Sequence, residues 1–385
     1  MTREFPPAPG GIGTHAYKVA LHLHRLGWKV TVAATQPRAS AQEVQRFNAS
    51  QPFNVIRMHT LPFAPLKVFY RVLIITICLL KIRTQVVIAS HAQMVWILSF
   101  LNIFFRRTFV AIGHGSGYRL PARWQQVITE WAFSRATGVI NVSKYTRSLM
   151  LSAGVSVKHH TVIPNGAEAE DFKHVSKTSV EQLRQKLGLE NAKAILTVGS
   201  ISERKGQDTV IRAMPRVLEH IPEAHYLIVG VPDRPQTKAE YCKLANDLGV
   251  SNFVTFVGRV DQADLPLYYH LCDLFVITSR PTSAGSVEGF GIVVVEAALC
   301  GKCAIVTEGS GLTEAIAAGQ TGLSVPQDDP EATANAIISL LRNNTKRKQM
   351  GQAARRRAHA SQSWTKRIVE YDNFISQLLS LSRTT

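Results

Sequence analysis

Short runs rich in Val and Ile alternate with longer amphipathic stretches along almost the whole chain, and this alternation restricts the fold more than any other feature. It is typical of parallel sheets whose strands are joined by crossover helices. A chain of 385 residues also exceeds what one hydrophobic core usually supports, so we expect two α/β domains. The predicted strands are 28–34, 53–58, 85–90, 108–113 and 138–142 in the first half, and 194–199, 224–230, 253–258, 274–278, 303–307 and 322–325 in the second.

Turn-forming residues separate the two series of strands. The sequence Ile163-Pro164-Asn165-Gly166 is followed by a polar segment that ends near residue 179. We therefore predict one doubly wound, Rossmann-like domain over residues 1–173, a second over 174–360 and a final helix over 361–385. Two such domains in tandem predict a cleft between the carboxyl ends of the two sheets, where ligands of these sheets bind.

The start of the chain departs from this pattern. The first predicted helix is 14–26, with Thr14 as its N-cap and Gly27 as its left-handed stop. A nucleotide-binding βα unit normally begins with a strand that leads into its glycine loop, but only residues 1–5 precede the Pro- and Gly-rich loop here. Either the chain is shortened at its start or the first sheet lacks a central strand, and we expect the shortening.

Positive charge is concentrated in the first half of the chain. Residues 1–175 contain 20 Lys or Arg and 6 Asp or Glu, which accounts for +14 of the net charge of +17. A basic surface favours an anionic membrane surface as a partner. Nucleic acid is not predicted as a partner because no recognisable nucleic-acid-binding module is present. A contribution of the charge to solubility alone is the alternative.

One segment combines apolar and basic residues, from Leu61 to Arg83. It is the candidate membrane contact, and a buried core helix is the alternative. Its apolar run, Val72 to Leu80, is too short to span a bilayer. The chain opens without the apolar core of a signal peptide, and its five cysteines are too scattered for a disulfide framework. We therefore predict a cytoplasmic protein, peripheral on the inner face of the membrane.

Two loops carry groups suited to phosphate. Gly10, Gly11 and Gly13 form a loop that opens the first helix, where backbone N–H groups cradle a diphosphate. Arg204 and Lys205 follow the first strand of the second series, where two cations neutralise phosphate charge. Taken singly, a tight turn and an exposed charged turn explain these two features equally well.

Two further motifs carry a histidine and two carboxylates. His114 ends a predicted strand with glycine on each side, a position that faces the ligand crevice in an α/β domain. Glu288 and Glu296 are separated by seven residues, with glycines after the first and an apolar run before the second. This spacing predicts a loop that turns into a helix, with free N–H groups for sugar hydroxyls or phosphate. The four features together favour one ligand site.

These motifs resemble the family-4 glycosyltransferases of the two-Rossmann (GT-B) fold, over essentially the whole chain. The matching stretches are FPPAPGGIGTHA, VAIGHGSG, VIPNGAE, ERKGQDTVIRAMP, FVGRV, VEGFGIVVVEAALCGK and GLTEAIAAGQTGL. Within the family the chain looks most like the phosphatidylinositol mannosyltransferase type, through ERKGQD and SVEGFGIVVVEA. The resemblance also implies that the final helix crosses back to pack on the first domain.

The resemblance implies transfer of a hexose, with mannose as a candidate, from a GDP- or UDP-sugar to a lipid-linked or glycan acceptor. It implies polysaccharide or glycolipid biosynthesis, retention at the anomeric carbon, no cofactor and no tightly bound metal. His114, Lys205 and Glu288 are the implied catalytic residues. Val260, in the turn after strand 253–258, would border the nucleobase.

The resemblance also assigns contacts to the donor. Gly11 would contact the diphosphate, Lys205 would bind its phosphates and Glu296 would hold the ribose hydroxyls. Glu288 and the three amides that follow it would bind the donor sugar, which His114 would orient. The implied donor-binding residues are Gly10, Gly11, Gly13, Arg204, Lys205, Val260, Glu288, Gly289, Phe290, Gly291 and Glu296.

One position departs from the family pattern. Ser200 stands where the family usually has an Arg, about five residues before Lys205. Arg204 is the candidate replacement for the missing cation. Two alternatives to the transferase remain open at this stage: a sugar-nucleotide epimerase or hydrolase of the same fold, and a degenerate nucleotide-sugar-binding protein.

Overall fold

A computed structural model describes the chain except for residues 9, 38, 60–62, 173–174 and 384–385. It divides into two compact units. The first unit contains Met1–Asn165 and Trp364–Thr385, and the second contains Gly166–Ser363. The division falls inside the predicted Pro-Asn-Gly turn and not at residue 173, and the last helix groups with the first unit.

The first unit alternates strands and helices. Its elements are α1 (Gly11–Arg25), β1 (Thr31–Ala34), α2 (Ala41–Ala49), β2 (Asn54–Arg57), α3 (Ala64–Lys81), β3 (Val86–Ala89), α4 (Ala92–Phe105), β4 (Thr108–Gly113), α5 (Arg123–Ser134), β5 (Gly138–Asn141), α6 (Lys144–Ser152), β6 (His160–Val162) and the chain's last helix, α15 (Trp364–Arg383). Strands β1 and β2 pair in parallel, and β3, β4, β5 and β6 form a parallel sheet in that order. The five strands predicted for this half are present, with ends within three residues, whereas β6 was not predicted.

The first two residues join the two sheets. Thr2 makes a parallel bridge to Ala34. The Met1 amino group donates to the Ile88 carbonyl at 2.6 Å, and the Ser90 N–H donates to the Met1 carbonyl at 2.9 Å. Met1 and Thr2 therefore lie hydrogen-bonded between β1 and β3, whose strands belong to two separate sheets, β1–β2 and β3–β6. Both explanations for the short start of the chain stay predictions.

Helix α1 begins earlier than predicted. Its N-cap residue is Gly10, and the Thr14 N–H donates to the Gly10 carbonyl at 2.8 Å, so Thr14 lies inside the helix and not at its cap. A Cβ on Gly13 would lie 3.2 Å from the Glu4 carbonyl carbon, so the glycines let the helix start close against the preceding segment. The predicted stop is confirmed, because Gly27 has φ +93°.

Helix α15 packs against α1 within the first unit. The Trp28 indole N–H donates to the Asp372 carboxylate at 2.7 Å. Trp364 and Tyr371 on α15 are buried. This packing holds α15 against α1 and the segment that follows it.

The second unit is one doubly wound domain. Its elements are α7 (Lys177–Lys186), β7 (Lys193–Val198), α8 (Gln207–His220), β8 (Ala224–Val229), α9 (Pro235–Asp247), β9 (Val254–Gly258), α10 (Leu265–Leu271), β10 (Leu274–Ile277), α11 (Ile292–Leu299), β11 (Ala304–Thr307), α12 (Leu312–Ala315), β12 (Gly322–Val325), α13 (Pro330–Arg342) and α14 (Asn344–Ser361). The six strands are parallel, in the order β12-β11-β10-β7-β8-β9. The chain leaves β7 and β10 toward opposite edges of the sheet, so their carboxyl ends form the topological switch point where ligands bind.

No helix in the described part of the chain is both long and apolar enough to cross a membrane. The strands of the two larger sheets, β3–β6 and β7–β12, carry the main cores: β4, β5, β10 and β11 are buried throughout. The Val- and Ile-rich runs at these strands therefore lie inside these two sheets.

Candidate active site

The loop after β7 holds the two predicted phosphate-binding cations. Gly206, which follows them, has φ +67°, and a Cβ there would lie 2.0 Å from the Thr278 carbonyl oxygen. The Arg280 N–H donates to the Arg204 carbonyl at 2.9 Å. Only glycine permits this close approach. The loop is therefore held against the end of β10, with Arg204 and Lys205 at the switch point.

A carboxylate from the loop after β10 meets both cations. The Nζ of Lys205 lies 2.7 Å from the Oε2 of Glu288, and the Nη1 of Arg204 donates to the same oxygen. Burial opposes ionisation of Glu288, but Lys205 and Arg204 outweigh it and lower the pKa of Glu288 to about 2. Burial lowers the pKa of Lys205, and Glu288 offsets part of that effect. The Glu288 carboxylate is therefore ionised at neutral pH and lies beside two basic side chains.

The loop from Glu288 to Gly291 is fixed by close backbone packing. The Gly311 N–H donates to the Glu288 carbonyl at 3.0 Å, and a Cβ on Gly311 would lie 1.9 Å from the Gly289 oxygen. Gly291 caps α11 with φ +84°, and the Phe290 side chain is buried. Within the described residues, the N–H groups of Gly289, Phe290 and Gly291 donate to no acceptor. These three amides are free to bind a ligand, whereas the Phe290 ring serves the core.

Glu296 lies in the middle of α11 and is 8% exposed. Its Oε2 accepts a hydrogen bond from the Tyr269 hydroxyl at 2.7 Å. Burial and then Glu296 raise the pKa of Tyr269, so the phenol stays protonated and donates. The sequence offers no signal for Tyr269, because no spacing along the chain connects α10 with α11. The role of Glu296 toward ribose stays a prediction.

Two other predicted positions lie apart from this group. Val260 follows β9 at the edge of the sheet, two strands from β7, or about 10 Å at ordinary strand spacing. Ser200 lies two residues after β7, and its backbone carbonyl accepts a hydrogen bond from the Gln207 side chain at 2.9 Å. The Ser200 backbone thus supports the loop, and the role of Arg204 as replacement for the missing cation stays a prediction.

The glycine loop of the first unit has one open position. A Cβ on Gly10 would lie 2.9 Å from the Glu4 Oε2, and one on Gly13 would meet backbone, but one on Gly11 would meet no described atom within 4 Å. Gly11 is exposed at the first turn of α1. Its backbone is therefore accessible to a ligand, as predicted for the donor diphosphate.

His114 directly follows β4 and belongs to a group of hydrogen-bonded side chains. Its Nε2 lies 3.0 Å from the Ser90 Oγ, which lies 3.4 Å from the Nδ1 of His15. The Nε2 of His15 lies 2.9 Å from the Tyr371 hydroxyl. Burial lowers the pKa of His114 to about 4, and burial followed by His114 lowers that of His15 well below its usual value. Both rings are therefore neutral at pH 7. The sequence offered no signal for Ser90, His15 or Tyr371.

The two halves of the chain match two family models. Residues 9–171 match the model described as Glycosyltransferase Family 4, and residues 179–357 match Glycosyl transferases group 1. The chain belongs to the family-4 glycosyltransferases. The resemblance stated from the motifs is thereby confirmed.

Similar proteins with assigned activities include two mannosyltransferases of the same name. Over 386 residues it is 28% identical to the GDP-mannose-dependent alpha-(1-6)-phosphatidylinositol monomannoside mannosyltransferase of Mycolicibacterium smegmatis, covering 95% of each chain. It is 32% identical over 235 residues to the protein of the same name from Mycobacterium tuberculosis, covering 61% of this chain and 60% of the relative. The predicted reaction class, hexose transfer from a nucleotide sugar, is confirmed at this level.

Solved structures show the same fold. Anabaena HepE in complex with UDP and glucose superposes with a TM-score of 0.81 at 21% identity, covering 97% of this chain and 98% of that one. The sucrose-phosphate synthase of Thermosynechococcus elongatus gives a TM-score of 0.82 at 23% identity, covering 99% of each chain. The predicted fold class, with two Rossmann-like domains of the GT-B type, is confirmed.

Proposed function

We propose that this glycosyltransferase transfers a hexose, with mannose as the first candidate, from a GDP- or UDP-sugar to a glycolipid acceptor in glycolipid biosynthesis. The observation that carries the proposal is the Arg204, Lys205 and Glu288 group at the switch point of the second sheet. Two cations beside a carboxylate suit a ligand that joins a diphosphate to a sugar. The full-length relative that uses GDP-mannose supports mannose.

The cations supply the charge stabilisation that the reaction needs. Departure of a nucleoside diphosphate places negative charge on its oxygens, and fixed cations there lower the barrier. When the diphosphate binds, it accepts the hydrogen bonds that Lys205 and Arg204 otherwise donate to Glu288. Glu288 can then accept hydrogen bonds from the sugar hydroxyls. Because the protein provides both cations, we propose that transfer needs no cofactor or tightly bound metal.

We assign retention of the anomeric configuration to this site. The bond between the anomeric carbon and the diphosphate oxygen breaks, and a bond to the acceptor oxygen forms on the same face. The departing phosphate oxygen takes the acceptor's proton. His114 orients the donor sugar and Gly11 contacts the diphosphate in this proposal, while Glu296 holds the ribose hydroxyls and Val260 borders the base.

A cationic group in the first unit supports an acceptor that carries phosphate. Arg71 is 5% exposed, and its one hydrogen bond among the described residues goes from Nη1 to the Gln93 Oε1 at 3.3 Å. Its Nε is buried without a partner. Burial lowers the pKa of His91 to about 3, and the positive charges of Arg3 and Arg71 add to that effect. A buried guanidinium with neighbouring cations is stabilised by an anion.

An exposed apolar face supports the peripheral membrane location. Helix α4 packs against both α3 and α5, and all three present apolar side chains to solvent. These are Leu66, Phe69, Leu73, Ile77 and Leu80 on α3, Phe100 and Phe104 on α4, and Trp124, Val127 and Trp131 on α5. Basic residues flank the same helices: Lys81, Arg83, Arg106, Arg107 and Arg123. Apolar and aromatic groups bordered by cations suit an anionic lipid surface.

The alternative predicted for α3, a buried core helix, holds for one face of the helix. Ile75 and Leu79 are buried in the core of the first unit, whereas the stripe through Phe69 and Leu73 faces solvent. One helix therefore serves both the core and the proposed membrane contact. We place the enzyme in the cytoplasm, on the inner face of the membrane.

The donor experiment incubates the protein with a panel of GDP- and UDP-sugars, with and without phosphatidylinositol-type acceptors, and follows release of nucleoside diphosphate. We expect release of nucleoside diphosphate to depend on the acceptor and to continue in the presence of EDTA. We also expect NMR to show that the product keeps the donor's anomeric configuration. Release without acceptor would indicate a hydrolase, and nucleotide binding without turnover would indicate a degenerate binding protein. Arg71→Gln should raise the KM for the acceptor and leave the donor KM unchanged.

The membrane experiment measures co-sedimentation with anionic and neutral vesicles at low salt. We expect binding to the anionic vesicles, weakened in the double variant Phe69→Ser, Phe104→Ser. Val231→Ser, which changes an exposed apolar residue of the second unit, is the matched control and should bind normally. Absence of binding to anionic vesicles would remove the membrane location.

A further inference from the structure

Four side chains of the first unit form an unbroken line of hydrogen-bonding groups from the last helix to His114. The line runs from the Tyr371 hydroxyl on α15 to His15 on α1, then to Ser90 after β3, and ends at the Nε2 of His114 after β4. Tyr371, His15 and Ser90 are buried. The inference drawn from this line rests on the role in sugar orientation proposed for His114.

The direction of the hydrogen bonds along this line follows from its buried end, the Tyr371 hydroxyl. The Tyr371 hydroxyl is 0% exposed, and its single partner among the described residues is the Nε2 of His15. Burial raises the pKa of Tyr371, so the phenol keeps its proton. If His15 donated to the phenol oxygen, the phenol proton would be buried without an acceptor, which is unfavourable. Tyr371 therefore donates, and the Nε2 of His15 accepts.

The donor and the acceptor of each remaining hydrogen bond in the line are then fixed. A neutral imidazole has one N–H and one acceptor nitrogen, so His15 with Nε2 accepting carries its proton on Nδ1. That N–H donates to the Ser90 Oγ, at 3.4 Å. The Ser90 hydroxyl then donates its own proton to the Nε2 of His114, at 3.0 Å. The proton of neutral His114 is left on Nδ1.

We propose that Tyr371, His15 and Ser90 are positioning residues that hold His114 as its Nδ1–H tautomer. His114 then presents a hydrogen-bond donor to the sugar, and not a proton acceptor. This assignment excludes His114 as the general base of the reaction. It also gives the last helix a function beyond packing, because the hydroxyl that sets the direction lies on α15.

The direct test is NMR of the free protein with ¹⁵N-labelled histidine, where ¹⁵N shifts and couplings identify the protonated ring nitrogen. We expect both His15 and His114 to be protonated at Nδ1. In Tyr371→Phe, His15 loses the donor to Nε2, and we expect both rings to show mixed tautomers. In Ser90→Ala, we expect mixed tautomers at His114. Tyr226→Phe removes another buried phenol, whose hydroxyl lies 2.8 Å from the Thr197 Oγ1, and should change neither ring.

Kinetics provide the second readout. We expect Tyr371→Phe and Ser90→Ala to lower kcat by about tenfold with little change in the donor KM, because the sugar still binds but is less well oriented. Wild-type His114 protonated at Nε2, or unchanged tautomers in a folded Ser90→Ala variant, would overturn the proposal. Since the NMR measurement needs no substrate, failure of the proposed transferase function would leave its result unaffected.

Discussion

Replacing Glu288 by Gln should destabilise the second unit by about 3 kcal/mol. The amide keeps the shape of the carboxylate but removes its charge, so Lys205, which is 7% exposed, stays buried beside Arg204 without a counterion. The pKa of Glu288 falls from 4.5 to about 2, and each unit corresponds to about 1.4 kcal/mol, which gives about 3 kcal/mol. Removal of one partner from a buried ion pair costs a similar amount, about 3 to 5 kcal/mol.

Thermal unfolding followed by two probes measures this effect. For a unit of roughly 200 residues, a loss of about 3 kcal/mol lowers the melting temperature by about 7 °C. Circular dichroism reports both units, whereas tryptophan fluorescence reports the first unit. All five tryptophans lie there: Trp28, Trp96, Trp124, Trp131 and Trp364. We expect the substitution to lower the temperature of a transition seen by circular dichroism and to leave the temperature of the fluorescence transition unchanged.

Glu223→Gln is the matched control. Glu223 lies 2.8 Å from Lys193, nearly the same distance as in the buried pair, but its side chain is 42% exposed. Exposed pairs contribute less than about 1 kcal/mol, so its melting temperature should barely change. The lowered pKa of Glu288 stabilises the fold above about pH 4.5, and this contribution is lost as the pH falls toward 2. An unchanged or raised melting temperature in Glu288→Gln at pH 7 would show that the buried ion pair does not stabilise the second unit.

Three further outcomes are expected. Gly11→Ala should keep the melting temperature and raise the donor KM, whereas Gly13→Ala, whose methyl meets the backbone of the preceding segment, should lower the melting temperature; equal effects on stability would contradict the open position at Gly11. Lys205→Ala should abolish release of nucleoside diphosphate, and full activity would contradict its role at the phosphates. The first unit should lose stability as the pH falls below 6.5, because the folded pKa values of His91 and His114, about 3 and about 4, lie below the unfolded value and the unfolded chain takes up the protons first. Fluorescence melts at pH 7 and pH 5 measure this loss, and an equal melting temperature at the two values would rule out buried neutral histidines.

The strand and helix pattern was predictable because it depends on local composition. Buried parallel strands are short and rich in Val and Ile, so all eleven predicted strands are present with small shifts at their ends. The start of α1 was predicted three residues late. Thr14 has the usual chemistry of an N-cap, but close packing of Gly13 on the segment before it let the helix begin at Gly11. Tertiary packing outweighed the capping preference there.

The two-domain α/β fold and the family could be predicted from the amino-acid sequence alone, and the same motifs predict the residues for phosphate and sugar. These follow from periodicity and from short motifs in which spacing along the chain matches spacing in space. The pairing of these groups comes from the packing of distant elements: Glu288 with Lys205 and Arg204, Tyr269 with Glu296, and Tyr371 through His15 and Ser90 with His114. Those partners lie on different elements and up to 356 residues apart along the chain. Their contacts, and the protonation states they impose, depend on strand order and helix packing, which no local pattern records.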